Sequence, residues 1–242
     1  MINETSGIAQ SQTIPGHIWV QEDSGSPNAL YLIDTDGRTV KMVWIKNAVN
    51  RDWEDMVLAG GRIYIGEIGD NLQQSAEYSI LHFPEPASSV DTVQSFETIR
   101  FVYPDGPHDA EAFLVDPVTK DIYVITKRTS PSIVYKISYP YSSGLQTATE
   151  VARLGYAGVV SAALSPDGKS ILVKTYSGIQ RYARKTGQSI SEALKNSPEK
   201  VFYRMEPQGE ALCFALDGSG FFTLSEKWFS NNVSLYYYPA RK

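Results

Sequence analysis

Five short segments of related sequence recur along this chain at nearly regular intervals. They are Ser6–Ala9, Trp53–Met56, Asp109–Phe113, Val160–Leu164 and Gln208–Leu212. The steps between them are 48, 57, 50 and 49 residues, counted between Ile8, Met56, Phe113, Ala163 and Leu212. Strand-rich units with a period of about 40–50 residues are typical of β-propellers, because no unit can bury its apolar face alone. The repeats therefore predict an all-β fold, a five-bladed β-propeller.

Each repeat can be divided into about four antiparallel strands that are separated by turn signals. The clearest signals are Asp36-Gly37, Gly60-Gly61, Asp167-Gly168 and Asp217-Gly218. We expect blades at 6–46, 54–103, 111–155, 160–206 and 210–242, in one domain that covers residues 1–242. The last blade has residues for three strands, so it closes with three or is completed by an upstream strand. One short helix is expected at Ser189–Lys195, where Ser189 and Glu192 have capping-box spacing.

The net charge and the single cysteine limit which partners and which disulfides this chain can have. The net charge is −5, which argues against a nucleic-acid partner, since such proteins need a basic face. Cys213 is the only cysteine, so an intrachain disulfide is excluded, and its apolar surroundings indicate a core position. No apolar run reaches the length of a membrane span. We expect a monomer that is exported, periplasmic or extracellular, with the signal absent from the sequence, although a cytoplasmic location remains open.

Propeller topology predicts which polar residues meet. Strands alternate in direction within a blade, so the start of the first strand and the end of the second lie on the same face of the propeller. The starts are Thr5-Ser6, Asp52–Glu54, His108–Glu111, Val160-Ser161 and Gln208–Glu210. The ends are Glu22–Ser24, Glu67–Asn71, Lys127-Arg128, Lys174–Tyr176 and Ser225–Lys227. We expect these residues to line the mouth of the central channel, because loops on a rigid scaffold commonly carry function.

Three glutamates at this mouth form the first candidate site. Glu54, Glu111 and Glu210 occupy similar points of their repeats and are expected to point toward the axis. Converging carboxylates repel one another unless a hard cation such as Ca²⁺ or basic side chains compensate them. With Asp70 and Asn71 as further oxygen ligands, they are a candidate calcium site. The structural alternative is that each carboxylate accepts hydrogen bonds from the backbone of a neighbouring blade.

Other mouth residues are candidates for ligand binding. Basic side chains would bind an anionic group or neutralise the glutamates, and aromatic rings would wall a pocket. The candidates are Asp23, Trp53, Lys127, Arg128, Tyr176, Glu226, Lys227 and Trp228. Trp53 has an equally good alternative position, wedged between two blades. Asp70 and Asn71 also fit an ordinary turn in Ile68–Asn71.

His108 and Asp109 are the candidate catalytic residues. His108 is the one histidine expected at the mouth, where it could act as a general base beside Asp109. The alternative is an exposed loop residue. The chain has no Gly-x-Ser-x-Gly elbow, which removes the best-known signature of a serine hydrolase.

The motifs resemble those of a family of bacterial, often exported β-propeller proteins. The resemblance rests on Ser6–Ala9, Asp52–Asp55, Ile68–Asn71, Asp109–Ala112 and Gln208–Ala211. It covers nearly the whole chain and implies the propeller fold. The glutamates are also distantly similar to those of calcium-dependent gluconolactonase and lactonase propellers, which implies a central metal held by Glu54, Asp70, Asn71, Glu111 and Glu210. Those relatives have six blades, whereas five are predicted here.

Three functions remain open on these residues. The first is a propeller that binds a small polar molecule, a peptide or an envelope partner at the mouth, with Ca²⁺ as a cofactor. The second is a metal-dependent hydrolase of a lactone, ester or phosphoester, in which the ion polarises the substrate oxygen. The third is a five-bladed glycosidase with Glu111 and Glu210 as its two carboxyl groups. Thr5-Ser6 stands where we expect such glycosidases to place an aspartate, which disfavours the third.

Overall fold

The computed structural model describes residues 2–227 and 233–240, which form five separate sheets. Blade 1 contains β1 (Thr5–Gln10), β2 (His17–Glu22), β3 (Ala29–Asp34) and β4 (Thr39–Ile45). The segment of blade 2 contains β5 (Trp53–Ala59), β6 (Arg62–Glu67), β7 (Tyr78–Pro84), β8 (Thr92–Val93) and β9 (Glu97–Val102). The segment of blade 3 contains β10 (Ala110–Val115), β11 (Ile122–Thr126), β12 (Ile133–Ile137), β13 (Gln146–Thr147) and β14 (Thr149–Arg153).

The two remaining segments complete the ring. Blade 4 contains β15 (Val159–Leu164), β16 (Ser170–Thr175), β17 (Gly178–Ala183), helix α1 (Ile190–Ala193) and β18 (Glu199–Val201). Blade 5 contains β19 (Gly209–Phe214), β20 (Gly220–Ser225) and β21 (Tyr236–Pro239). The first strands contact one another in the cyclic order β1, β5, β10, β15 and β19, and β19 returns to β1. The prediction of an all-β, five-bladed propeller is confirmed, and the last blade has three strands among the described residues.

Loops at the outer edge tie successive blades together. β8 belongs to the loop between β7 and β9 of blade 2 but pairs in parallel with β4 of blade 1. β13 likewise leaves blade 3 to pair with β9 of blade 2. Helix α1, with the expected Ser189–Glu192 capping box, contacts β14 of blade 3. Neither two-residue strand was expected, because segments this short carry no periodic signal.

Each first strand contains a β-bulge next to the axis. The residue inserted between paired positions is Ser6, Asp55, Glu111, Val160 or Glu210. Asp55 is therefore the structural equivalent of Glu111 and Glu210, and the predicted equivalence of Glu54 was wrong by one residue. In β5 the ladder has one more residue pair before the bulge than in the other first strands, because Glu54 pairs with Gly66. The inserted residue is therefore Asp55 and not Glu54. A bulge redirects side chains locally, so this single-residue difference places both acids of blade 2 near the axis.

The core consists of apolar layers between adjacent blades. Trp19 and Trp53 are fully buried in the layer that joins blades 1 and 2. Cys213 is buried between blades 5 and 1, as its surroundings indicated. Near the axis the first strands approach closely, since a Cβ on Gly7 would lie 2.5 Å from the backbone nitrogen of Met56. Among the described residues, no helix has the length and hydropathy needed to cross a membrane.

Candidate functional site

Three glutamates from three blades meet at the channel mouth. Glu54, Glu111 and Glu210 each offer a carboxylate oxygen, and these oxygens lie within 4.8 Å of one another. All three side chains are buried. We call this group the inner carboxylate cluster. Its formation follows from the bulges, which turn the starts of β5, β10 and β19 toward the axis.

A lysine already compensates part of the inner carboxylate cluster. The ammonium of Lys127 contacts Glu111 and lies 3.9 Å from Glu210. It also donates to the Tyr176 hydroxyl at 3.0 Å, and that hydroxyl in turn donates to Glu210. Although burial opposes protonation, the contact with Glu111 raises the pKa of Lys127 above its usual value. The ammonium therefore remains charged and serves as an internal counter-ion.

Burial and mutual repulsion nevertheless oppose ionisation of two of the inner glutamates, Glu54 and Glu111. Burial, followed by the Glu111, Asp23 and Glu210 carboxylates, raises the pKa of Glu54 well above its usual value, while a hydrogen bond from Ser6 lowers it. The Ser6 hydroxyl donates to Glu54 at 2.5 Å. Burial and Glu210 likewise raise the pKa of Glu111 against the opposing effect of Lys127. One oxygen of Glu111, Oε2, is buried without a hydrogen-bond partner among the described residues.

A second group of carboxylates lies on the solvent side of the first. Oxygens of Asp23, Asp52 and Glu54 lie within 4.8 Å of one another, and both aspartates are half-buried. We call these three residues the outer carboxylate cluster. Within the described chain, no lysine or arginine nitrogen lies within 4.0 Å of the carboxylates of these residues. Burial, together with the charges of Asp52, Glu210 and Glu4, raises the pKa of Asp23 to about 6.

A glycine fixes the position of Asp52. Asp52 accepts a hydrogen bond from the Gly69 amide at 3.2 Å through its main-chain oxygen. A Cβ at position 69 would lie 2.5 Å from the Asp52 carboxylate carbon, so a side chain there would displace the Asp52 carboxylate. Burial and then Asp109 raise the pKa of Asp52. The Ile68–Asn71 motif therefore supports the outer cluster through Gly69, and Asp52 is a site residue that the sequence candidates omitted.

Glu226 adds a protonated carboxyl group to the mouth. Burial, the charge of Glu210 and a hydrogen bond with Glu210 raise the pKa of Glu226 to about 9. The protonated form of Glu226 is therefore favoured beside Glu210. Two adjacent carboxyl groups commonly hold one proton between them, because both cannot ionise at short range.

Asp55 crosses the central channel below the glutamates. It accepts hydrogen bonds from the Ser161 hydroxyl and the Ala162 amide of blade 4, each at 3.2 Å. Its backbone has a φ of 41°, which lies in the left-handed region that residues other than glycine rarely adopt. Burial raises the pKa of Asp55 well above its usual value despite these bonds. Sequence reasoning missed this role, since only the bulge reveals that Asp55 points across the axis.

Asp70 and Asn71 lie outside both carboxylate clusters. The Asp70 carboxylate accepts from the amides of Gln74 and Ser75 and from the Tyr78 hydroxyl, at 3.0, 2.8 and 2.7 Å. These bonds lower the pKa of Asp70 although burial opposes them. Asn71 accepts from Arg128. The predicted metal-ligand role of Asp70 and Asn71 does not agree with these positions. The Asp70 oxygens accept hydrogen bonds within their own loop, and the Asn71 oxygen accepts from Arg128.

Arg128 and Asp109 form an ion pair at the rim of blades 2 and 3. The Arg128 Nε atom lies 2.7 Å from a carboxylate oxygen of Asp109. The other oxygen of Asp109 accepts from the amide of Asp70 at 2.9 Å. Asp109 is buried and its two oxygens hold two loops together, while its catalytic role stays a prediction.

His108 lies in an aromatic cluster and pairs with a different acid. Its Nε2 atom is 3.0 Å from the Asp105 carboxylate and 3.0 Å from the Tyr135 hydroxyl. The ring packs edge-on against Tyr103, with ring centroids 5.0 Å apart. The structure therefore does not support the predicted dyad with Asp109, because the imidazole is hydrogen-bonded to Asp105.

The remaining candidates occupy different environments. Trp53 is fully buried between blades 1 and 2, so the predicted ligand contact is wrong and the wedge alternative holds. Lys227 lines a groove between blades 5 and 1 rather than the channel. Trp228 lies outside the described residues. Lys174, which was not selected as a site residue, is fully buried and donates to the Tyr203 hydroxyl at 2.7 Å. Burial lowers its pKa to about 8.

Comparisons with known proteins support the fold alone. No family model and no curated protein matches this chain. A chain in the crystal structure of the nidogen/laminin complex aligns with a TM-score of 0.55 at 10% identity, covering 97% of this chain and 76% of that one. At this identity the similarity indicates a shared architecture and nothing about ligands.

Two further solved structures align over most of this chain with lower scores. Hydrazine synthase from Kuenenia stuttgartiensis has a TM-score of 0.49 at 15% identity, covering 97% of this chain and 71% of that one. The Dos1 propeller has a TM-score of 0.46 at 10% identity, covering 92% of this chain and 53% of that one.

Proposed function

We propose that the protein binds a divalent cation of the Ca²⁺ type in the outer carboxylate cluster. The observation that carries this proposal is the convergence of Asp23, Asp52 and Glu54, whose oxygens lie within 4.8 Å of one another. Carboxylate oxygens without histidine or cysteine favour a hard cation. The resemblance to calcium-dependent lactonase-type propellers implies the same ion at a blade-top glutamate, although at a different ligand set.

The location of the ion follows from the distribution of positive charge. Lys127 compensates the inner carboxylate cluster, whereas no basic nitrogen of the described chain lies within 4.0 Å of the outer carboxylates. The raised pKa values of Asp23 and Glu54 have neighbouring carboxylates among their causes. A divalent cation would remove this repulsion, and it would favour the ionised forms of both acids.

A ligand would reach the ion from a neighbouring cavity. A cavity of about 360 Å³ is lined by Asp52, Asp70 and the half-exposed Arg51, among others. A small polar molecule or a peptide with an anionic group would contact the ion and Arg51 together. We therefore propose a binding function at the channel mouth, with the ion as part of the binding surface.

Calorimetric titration of chelator-treated protein with CaCl₂ at pH 7 tests the ion. We expect one Ca²⁺ per chain in the wild type. Asp23→Asn and Asp52→Asn should each weaken binding by at least about tenfold, because each removes a charged ligand. Asp36→Asn, which changes an exposed acid in the β3–β4 turn, should leave the affinity unchanged. Absent Ca²⁺ binding, or binding that survives both outer-cluster substitutions, would exclude the proposed site.

A further inference from the structure

The central channel contains a cavity at the end opposite the carboxylate clusters. Its volume is about 450 Å³, and residues of all five first strands line it. The lining begins at Met56 and Ala162 inside the ring. It ends at Pro117, Pro166 and Leu216, in turns that join first strands to second strands. We call this space the lower channel cavity.

The first strands change from acidic to apolar along the axis. Three of their bulges at the mouth carry Asp55, Glu111 and Glu210. The last residues of the five strands, which line the lower channel cavity, are Gln10, Ala59, Val115, Leu164 and Phe214. Of the described residues that line this cavity, none has a charged side chain. Since burial of an unpaired charge is costly, the lining favours a neutral occupant.

Hydrogen-bonding groups in the walls belong to the main chain and to a few polar side chains. Each first strand lies at the end of its sheet and pairs on one side with the second strand. Its other edge lies toward the axis, and no strand of the described chain pairs with that edge. The Gln10 side-chain oxygen is already engaged, because it accepts from the Leu216 amide at 2.7 Å. Apolar side chains with a few main-chain donors and acceptors are typical of sites for small organic molecules.

Asp55 separates the lower channel cavity from the carboxylate clusters. Its carboxylate crosses the channel to accept from the Ala162 amide at 3.2 Å, at the level where the lining begins. The cavity therefore opens through the turns at its other end, where Leu216 is 39% exposed. At about 30 Å³ for each water-sized group, its volume accommodates up to about 15 non-hydrogen atoms. This size fits a small molecule rather than a folded protein element.

We propose that the lower channel cavity binds a small neutral organic molecule with an apolar body and one hydroxyl or amide group. The apolar body would contact Ala59, Leu164 and Phe214, and the polar group would hydrogen-bond to a strand edge that faces the axis. The uncharged lining supports a neutral ligand, and enclosure by five strands supports a small one. The site shares no residue with the outer carboxylate cluster, so either proposal can fail alone.

NMR of the protein labelled with ¹³C at the methionine methyl groups tests the proposal, with 1-octanol as the probe. Met56 lines the cavity, whereas Met42 and Met205 are exposed elsewhere. We expect the Met56 resonance, identified with Met56→Leu, to shift saturably as 1-octanol is added. The resonances of Met42 and Met205 should stay in place. Octanoate, the same chain with an ionised carboxylate, should bind at least tenfold more weakly at pH 7.

Two substitutions place a charge in the walls. Leu164→Asp, at a half-buried position, should weaken 1-octanol binding by at least tenfold. Leu216→Asp, at the exposed opening, should act in the same direction if the first variant fails to fold. Val118→Asp is the matched control, because Val118 is 84% exposed and lies beside the cavity residue Pro117 without lining the cavity. It should leave binding unchanged, and thermal unfolding verifies that each variant folds.

The measurements also separate this site from others. Addition of CaCl₂, or the substitution Asp52→Asn, should leave 1-octanol binding unchanged. The proposal is wrong if the Met56 resonance does not shift saturably, if Met42 or Met205 shifts equally, or if octanoate binds as tightly as 1-octanol. It is also wrong if the neutral peptide N-acetyl-Leu-Leu-amide displaces 1-octanol at a lower concentration than 1-octanol itself requires, since the occupant is then a peptide segment.

Discussion

The inner and outer carboxylate clusters share Glu54 but differ in what balances their charge. In the inner cluster, the Lys127 ammonium contacts Glu111, and Tyr176 bridges the lysine to Glu210. In the outer cluster, Asp23 and Asp52 face Glu54 with no basic nitrogen of the described chain within 4.0 Å. Carboxylates at neighbouring positions are thus in two different electrostatic environments. The compensated group joins blades. In the outer group the charge of Arg51 lowers the pKa of Asp52 only against burial and the neighbouring carboxylates, which raise it, and it is this group that we propose as the cation site.

This difference also shows why an acidic ring at a propeller mouth does not by itself indicate a metal. Fully buried charges require partners, and the fold provides them in the inner cluster. Partly exposed charges can remain unpaired at a smaller cost in free energy, because water still solvates them.

Replacing Lys127 should have the largest effect. Lys127→Met leaves Glu111 and Glu210 buried without their counter-ion, so we expect a loss of about 3–5 kcal/mol in the free energy of unfolding at pH 7. Urea unfolding measures this loss. Lys169→Met, at an exposed ion pair with Asp167, should change stability by less than about 0.5 kcal/mol.

A second substitution separates lost charge balance from lost packing. In Lys127→Met/Glu111→Gln, one of the uncompensated carboxylates is removed, so most of the lost stability should return. If the double variant is as unstable as Lys127→Met alone, the lysine stabilises the mouth through packing of its methylene groups, and the comparison between the clusters fails.

Much of this arrangement was accessible from the sequence, and the limits have identifiable causes. Repeat spacing and turn dipeptides predicted the blades because strand periodicity and turn chemistry act locally. Alternating strand direction predicted that Glu54, Glu111 and Glu210 would lie at one mouth. The β-bulge was not predictable, since one inserted residue leaves no local pattern. Because of it, Asp55 and not Glu54 is the structural equivalent of Glu111 and Glu210.

Side-chain partners were less accessible than positions. Lys127 could have bound a ligand or neutralised the glutamates, and only the three-dimensional distances decide between these roles. Asp52 was absent from the candidates because nothing in the sequence shows that Gly69 makes room for its carboxylate. Trp53 fits a rim or a core equally well by composition, and its complete burial resolves the choice.

The pH dependence of stability should distinguish the outer cluster from ordinary surface acids. Burial and neighbouring charges raise the pKa of Asp23 from 3.8 to about 6. Between these values the folded chain binds more protons than the unfolded chain, so the contribution of Asp23 to stability falls as pH rises through this window. Asp23→Asn should therefore raise the melting temperature of cation-free protein above pH 6 and have little effect below pH 4.

Asp167 is the control of opposite sign. Hydrogen bonds from Ser165 and Lys169 lower its pKa, so its contribution is present at neutral pH and is lost as pH falls through the lowered value. Asp167→Asn should slightly lower the melting temperature at pH 7. Calorimetry with and without CaCl₂ completes the comparison, because the bound ion should abolish the advantage of Asp23→Asn. Equal pH profiles for the wild type and Asp23→Asn would contradict the proposed repulsion.

The smallest expected effect concerns Ser6, which acts on the residue that both clusters share. Its hydroxyl donates to Glu54 at 2.5 Å and lowers the pKa of that acid against the effect of burial. Ser6→Ala removes this hydrogen bond, so protonation of Glu54 competes more strongly with the cation. We expect a loss of about 1 kcal/mol in stability and a several-fold weaker Ca²⁺ affinity at pH 6. The difference in affinity should shrink at pH 8, where protons compete less. If the affinity ratio is instead independent of pH, Ser6 positions Glu54 without tuning its charge, and the two clusters are coupled through geometry alone.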